Sequence, residues 1–304
     1  MTTGSIERKE RIDLFGGSML VGFSALLAVN QVMIKLVNAG MSPVFQAGLR
    51  SACATVPVIL FMLVRGRRIS FGGGALWPGI ACGLLFAFEF TLLFQALDYT
   101  TVARTSILFY TMPVWVALAA HFLIPGERLT PMRAAGLVLA VAGVALALAR
   151  NDHPASNRAF IGDLMALAAA TGWAGIAILA RVTKLSAVRP DMQLLYQLLV
   201  SAPILLLLAP SFGSPFREMS PALWALFAFQ VLGVATAGFM LWFWILSIYP
   251  ASDMASYAFL TPVFGVVLGY IIFGEQLTVS IVLALLLVGA GIWLVNHRPK
   301  PRHT

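Results

Sequence analysis

Apolar runs follow one another along most of the chain and are separated by short connections rich in Pro, Gly, Ser and Arg. About 20 apolar residues in a helix cross the ~30 Å hydrocarbon core of a bilayer, so each run predicts one membrane-spanning helix. We predict ten such segments, at 12–37, 43–64, 75–97, 101–123, 131–149, 160–182, 191–209, 221–247, 251–273 and 278–296. No connection is long enough to form a soluble domain.

The composition agrees with this pattern. Hydrophobic residues make up 60% of the 304 residues, charged residues only 11%, and the mean hydropathy is +0.90. So few charged side chains cannot cover the surface of a soluble domain of this size. The only two cysteines, Cys53 and Cys82, lie in apolar runs and are expected to pack there, which leaves no disulfide framework or cysteine metal site. The predicted fold class is an all-α membrane protein.

Most of the 20 Lys and Arg residues fall on one side of the predicted membrane. Positively charged loops stay in the cytoplasm, so this bias places both termini there. The net charge of +8 is then a signal of topology, and we expect no nucleic-acid partner. The first segment follows a charged leader and continues to about Lys35, too long for the core of a cleaved signal peptide.

The chain contains an internal duplication. Residues 126–130 read Gly-Glu-Arg-Leu-Thr and residues 274–278 read Gly-Glu-Gln-Leu-Thr, and each copy closes an apolar segment. We therefore predict two related halves, 1–150 and 151–304. Prolines recur at matching places in them and are candidate hinges: Pro57, Pro113, Pro203 and Pro262.

Each predicted half has five segments, an odd number, so the second half must enter the membrane from the opposite side. Inverted repeats of this kind are common in secondary transporters, where they give near-equivalent inward-open and outward-open states. An enzyme would need a nucleophile with a base, or metal ligands on facing helices, and the sequence offers neither. A channel stays an alternative, although it would not need duplicated inverted halves.

Several motifs carry a resemblance to a known family. They are residues 96–103 (Ala-Leu-Asp-Tyr-Thr-Thr-Val-Ala), residues 45–50 (Phe-Gln-Ala-Gly-Leu-Arg), the Gly-Glu-x-Leu-Thr pair and the proline-bearing fourth and ninth segments. Together they resemble the drug/metabolite transporter superfamily, ten-helix EamA type, over about residues 14 to 296. The resemblance implies a bacterial inner-membrane carrier that exports small metabolites, amino acids including aromatic ones among them, through a central cavity walled by segments 1 to 4 and 6 to 9.

Of the ionisable residues inside the predicted spans of this bundle, Arg50 and Glu89 are the two that matter. Each costs roughly 2.5–3.5 kcal/mol near the bilayer centre on insertion scales and therefore needs a reason. Arg50 in the second segment and Glu89 in the third lie at a similar depth, about 10 to 12 Å from the same membrane face. They could form an ion pair that orients helices, or a site for a substrate or proton; the sequence leaves both open. Because Arg50 aligns with Tyr196 in the second half, its role need not be symmetric.

Further polar and aromatic residues complete the predicted substrate site: Asn30, Gln31, Tyr110, Trp173, Trp242 and Tyr257. Trp173 is preferred among the aromatics because Gly172 and Gly175 flank it and allow close helix approach. Asp253, which matches Arg104 in the first half, is a candidate cytoplasmic gate or a helix N-cap.

The combined prediction is a secondary carrier that exports small metabolites, amino acids first, with membrane lipid and a small-molecule substrate as its partners. Transport of nucleosides, sugars or hydrophobic drugs is the alternative. We expect no metal and no cofactor, with proton coupling left open, and a monomer or weak homo-oligomer.

Overall fold

The computed structural model describes residues 12–125, 127–149, 157–249, 257 and 259–296. Within these ranges the chain is helical, without a strand, and an isolated bridge joins Met41 to Phe216. The first half contains α1 Leu14–Asn38, α2 Pro43–Val64, α3 Leu76–Tyr99, α4 Val102–Phe109, α5 Met112–Leu123 and α6 Pro131–Ala149. The second contains α7 Asn157–Val182, α8 Pro190–Leu208, α9 Pro221–Phe229, α10 Phe239–Ile248, α11 Leu260–Phe273 and α12 Val279–Asn296.

The helices confirm the predicted fold class. In the described part of the chain, nine helical stretches are long and apolar enough to cross a membrane, and α11 is a shorter apolar helix. The protein is thus a multi-pass membrane protein. Part of the ninth predicted segment, 251–273, lies outside the described residues.

The fourth predicted segment, 101–123, is two helices instead of one. α4 ends at Phe109 and α5 begins at Met112, with Pro113 in its first turn. Proline has no N–H to donate, and its ring clashes with the carbonyl four residues earlier, so a continuous helix is disfavoured here. A tighter turn joins the two helices, in which the Thr111 N–H donates to the Leu108 carbonyl at 3.3 Å.

The eighth predicted segment, 221–247, also departs from a regular helix. Between α9 and α10, residues Gln230–Gly238 form a π-helix. Inside it, the Thr236 hydroxyl donates to the Val231 carbonyl five residues earlier, at 2.9 Å. This widened turn packs against α1 and α2, so it lies within the bundle.

Helices of the two halves pack against each other throughout the bundle. α2 packs on α8, α6 on α12, α3 on α7 and α8, and α1 on α11. Gly136 allows α6 and α12 to approach closely, because a Cβ there would lie 2.8 Å from the Gly291 carbonyl oxygen. Cys82 is buried, whereas Cys53 is exposed on the outer face of α2 and does not pack in the core as expected.

The connections gather at two opposite ends of the bundle. At the first, which we call the Glu275 end, residues 39–42, 100–101, 213–220 and 274–278 come together, and the Ser42 N–H donates to the Pro215 carbonyl at 2.9 Å. At the second, the Asp191 end, Arg67 pairs with Asp191 at 2.8 Å. α1 joins the two ends: Asp13 at its start accepts a hydrogen bond from the Tyr249 hydroxyl at 2.6 Å, and the Asn38 carbonyl at its end accepts one from Arg217 at 2.7 Å.

Candidate functional site

Arg50 is a buried cation in the middle of α2. Its side chain is held by the aromatic face of α3, with the guanidinium carbon 4.5 Å from the centre of the Phe90 ring and 5.0 Å from that of Phe94. It also donates a long hydrogen bond of 3.5 Å to Asn30 Oδ1 on α1. Cation–π contacts compensate part of the cost of burying a guanidinium, so Arg50 is stabilised without a carboxylate in contact.

Glu89 is the buried anion of α3. The residue is 2% exposed, and its Oε2 atom accepts no hydrogen bond. Arg50 and Glu89 interact through their electric fields, but they are not among the ion pairs formed by the described residues. The direct ion pair that the sequence allowed is therefore not formed.

Gln31 and Tyr110 lie around the same region. Gln31 Oε1 accepts a hydrogen bond from the Ser106 hydroxyl of α4, and Gly265 of α11 faces that serine closely. Tyr110 is buried at the break between α4 and α5, where it interacts with Thr261 of α11 and lies within the electric field of Glu89. We call the five predicted residues of this region the central polar cluster: Asn30, Gln31, Arg50, Glu89 and Tyr110.

The other three predicted substrate residues do not join the central polar cluster. Trp173 is 37% exposed on α7. Its neighbour Gly172 faces α3, since a Cβ there would lie 3.3 Å from that of Glu89. Successive helical residues are about 100° apart around the axis, so the indole of Trp173 points away from the surface of α3 that Gly172 faces.

Trp242 and Tyr257 lie near the Asp191 end. Trp242 stacks on Phe23 with ring centres 5.1 Å apart. Tyr257 packs close to Gly17, and its carbonyl accepts a hydrogen bond from the Ser24 hydroxyl at 3.3 Å. The predicted gate residue Asp253 lies outside the described residues.

The four predicted hinge prolines occupy two kinds of position. Pro57 lies inside α2 and Pro203 inside α8, so both are within continuous helices. Pro113 follows the break between α4 and α5, and Pro262 lies in the first turn of α11. Of these, Pro113 marks a clear interruption next to the central polar cluster.

A second buried polar group, which was not predicted from the sequence, lies at the Glu275 end. Arg104 of α4 donates from Nε to both carboxylate oxygens of Asp163 on α7, at 3.0 Å each, and from Nη2 at 2.5 Å. Thr100 donates to the same carboxylate at 2.8 Å. Asp163 is fully buried and Arg104 nearly so. An acidic residue inside the apolar segment 160–182 was the available signal, but its partner lies in another segment.

Glu275, from the second Gly-Glu-x-Leu-Thr motif, belongs to this end too. It is buried, and its two oxygens accept the backbone N–H groups of Val102 at 2.7 Å and Ala103 at 2.9 Å. These are unpaired donors at the start of α4, where a carboxylate is stabilising. Lys35 of α1 donates to the Leu97 carbonyl at 2.9 Å near the end of α3. The Glu275 end is thus fastened by contacts between the two halves.

These features define a polytopic helical bundle with a buried, incompletely paired polar centre, an arrangement suited to moving a polar solute across a membrane. The model of the EamA-like transporter family matches residues 14–149 and again residues 160–297. The chain belongs to this family, and it is a transporter.

Similar proteins agree with that assignment. The Bacillus subtilis protein named "Uncharacterized transporter YoaV" is 25% identical over 90% of this chain and 94% of its own length. A Salmonella typhimurium protein named "Probable amino-acid metabolite efflux pump" is 27% identical over 90% and 93%. A solved crystal structure that is 20% identical shares the fold, with a TM-score of 0.63 over 92% of this chain and 94% of that one.

Proposed function

We propose that the protein is a secondary carrier that exports amino acids, with neutral and aromatic ones included, across a bacterial inner membrane. The observation that carries this proposal is the pair formed by Arg50 and Glu89. Both are buried and opposite in charge, and they lie on adjacent helices without a direct ion pair between them among the described residues. A buried charge without a strong partner is costly and marks a site where a ligand supplies the missing contact.

An amino acid has the complementary chemistry. Its ammonium group can donate to the unpaired Glu89 Oε2, and its carboxylate can accept from guanidinium N–H groups of Arg50. Among the described residues, the one hydrogen bond that Arg50 donates is the long one to Asn30. The Phe90 and Phe94 rings beside Arg50 offer an apolar surface to an uncharged side chain. The name of the Salmonella relative, an amino-acid metabolite efflux pump, supports the same substrate class.

We further propose that transport proceeds by alternating access between two inverted halves, 1–150 and 151–304, with both termini in the cytoplasm. Support comes from the duplicated sequence motifs, from the two separate family matches and from the positive charges that concentrate on one side. The Glu275 end would then face outward. Its contacts between the halves would have to open in the outward-open state and close again in the inward-open state.

Counterflow in proteoliposomes tests this function. Vesicles are loaded with unlabelled amino acids, nucleosides or sugars, and the uptake of each labelled counterpart is followed. We expect saturable exchange of amino acids, and loss of that exchange in Arg50→Ala and Glu89→Gln. Arg133→Ala is the matched control, since this arginine lies in the first turn of α6, outside the central polar cluster. Exchange of nucleosides or sugars without amino acids would replace the proposed substrate class.

A further inference from the structure

Glu89 differs from the other buried carboxylates of the described chain in having no cationic or N–H partner in contact. Asp163 is paired with Arg104, Asp191 with Arg67 and Arg189, and Glu275 accepts two backbone N–H groups. By contrast, Glu89 Oε2 is buried and accepts nothing. An ionised carboxylate with a buried, unpaired oxygen and no ion pair is costly, so a species that neutralises it or donates a hydrogen bond to it is favoured at this site.

Arg50 does not provide that neutralisation directly. Its guanidinium is turned onto the Phe90 and Phe94 rings and toward Asn30, and its field reaches Glu89 without an ion pair. The other titratable side chains near enough to be affected by the charge of Glu89 are Tyr110, from the break between α4 and α5, and Cys82, on α3 itself. Neither is a cation. On α7, the residue facing Glu89 is Gly172, which has no side chain to offer.

Other buried polar atoms of the described chain also lack a hydrogen-bond partner. Three further buried side-chain amides of the described chain have a carbonyl oxygen without a hydrogen-bond partner: Asn38, Gln46 and Gln95. One amide nitrogen, of Gln230, is in the same condition. The hydroxyls of Ser42, Thr105 and Tyr196 are unpaired as well and can donate or accept. At Glu89 itself the unused atom is a carboxylate oxygen, so a species that donates hydrogen bonds satisfies this position better than an anion does. A proton and an ammonium group are the two simplest species of that kind.

We propose that Glu89 is an exchange site that holds either a proton or the ammonium group of the exported compound, so that the carrier is a proton antiporter. The two ligands exclude each other because both occupy the same carboxylate. The inference rests on the proposed export function for its direction, but the competition at Glu89 can be measured without transport.

The charge balance of the cycle follows from this competition. In the loaded carrier, Glu89 is ionised and carries a zwitterion, whereas in the returning carrier Glu89 is neutral and carries a proton. One amino acid therefore leaves for each proton that enters, and one positive charge moves inward per cycle. An inside-negative membrane potential and an acidic exterior both drive export, at about 2.3 kcal/mol per charge for each 100 mV.

The test is proton release from the purified full-length protein in a weakly buffered solution with a pH indicator. The probes are phenylalanine, phenethylamine, which keeps the ammonium but lacks the carboxylate, and phenylpropionate, which lacks the ammonium. We expect about one proton released per bound phenylalanine or phenethylamine and none with phenylpropionate. The apparent affinity for phenethylamine should rise with pH, up to about tenfold per unit, while the competing proton is being removed.

Two variants keep the test decisive. Glu89→Gln should release no proton, while Glu89→Asp, which keeps the carboxylate, should still release one at a lower affinity. Glu127→Gln is the control, because this glutamate is partly exposed in an ion pair with Arg181, outside the central polar cluster. Its proton release should equal that of the unmodified protein.

The outcomes separate the two proposals. If amino acids exchange in counterflow but binding releases no proton, the export function stands and the antiport inference is wrong. If phenethylamine displaces a proton from Glu89 but phenylalanine neither binds nor exchanges, the exchange site stands and the substrate class must change. If proton release is the same in Glu89→Gln, the proton comes from another group and the inference is overturned.

Discussion

The two Gly-Glu-x-Leu-Thr motifs share a sequence and differ in what their glutamates do. Glu275 is 8% exposed and binds two backbone N–H groups at the start of α4. Glu127 forms an ion pair with Arg181 in which the side chains stay 30% and 42% exposed. Glu275 accepts hydrogen bonds from backbone N–H groups that would otherwise be unpaired at a buried helix start. Glu127 contributes only one ion pair that is exposed to solvent. Equal motifs therefore contribute unequally to holding the halves together.

The ion pairs at the two ends of the bundle differ in exposure in the same way. At the Glu275 end, the pair Arg104–Asp163 is buried on both sides. At the Asp191 end, the arginines paired with Asp191 remain accessible, with Arg67 at 37% and Arg189 at 46% side-chain exposure. Buried pairs are lost only at high cost, whereas exposed ones exchange readily with water. In the described conformation the Glu275 end is the more tightly fastened of the two.

We expect the largest loss of stability when one partner of the buried Arg104–Asp163 pair is removed. Arg104→Ala leaves the Asp163 carboxylate buried, with the Thr100 hydroxyl as its remaining hydrogen-bond donor among the described residues, and we expect a loss of roughly 3–5 kcal/mol of stability. Asp163→Asn should lose a comparable amount, because it strands the arginine charge. Unfolding of the purified variants in mixed micelles measures both. Losses below about 1 kcal/mol would mean that the pair is not buried in the membrane-embedded protein.

A smaller effect compares the two glutamates directly. Glu275→Gln keeps one carbonyl acceptor but removes the charge that binds two N–H groups, so we expect a loss of about 1.5–3 kcal/mol. Glu127→Gln removes an exposed pair and should cost about 0–1 kcal/mol. The two melting temperatures, taken in the same detergent, give the comparison. Equal shifts would contradict the inequality of the two ends.

The membrane-spanning helices and the charged residues inside them were predictable from the sequence, because both depend on local composition. Long apolar runs and short connections predict helices that cross a bilayer, and charged residues inside such runs pointed to Arg50 and Glu89 before any partner was known. Pro113 was predicted as a hinge within one segment, but a kink and a full interruption differ by only one or two hydrogen bonds, and the sequence does not decide between them.

Features that depend on distant partners were not predictable. The pairing of Arg104 with Asp163 joins α4 to α7, and both residues lay in segments whose relative rotation the sequence leaves open. The same uncertainty applies to Trp173, since a rotation of α7 by one residue exchanges an indole for Gly172 at the α3 surface. The π-helix at Gln230–Gly238 has no compositional mark that predicts it, and it packs against α1 and α2.

The smallest expected effects lie at the Asp191 end, where one carboxylate is shared by two arginines. Asp191 accepts from Arg67 at 2.8 Å and from Arg189 at 3.1 and 2.9 Å. Either Arg67→Ala or Arg189→Ala leaves the other arginine in place, so each should cost about 0–1 kcal/mol and less at high salt.

The double variant Arg67→Ala/Arg189→Ala tests whether the two arginines share one carboxylate. Asp191 itself is nearly buried, with 4% of its side chain exposed, so removing both arginines strands its charge. The loss should therefore exceed the sum of the two single losses by about 0.5–3 kcal/mol. A double-mutant cycle on unfolding free energies measures that excess. Strict additivity would mean that water reaches Asp191 and replaces both arginines, and this end would then be looser still than the Glu275 end.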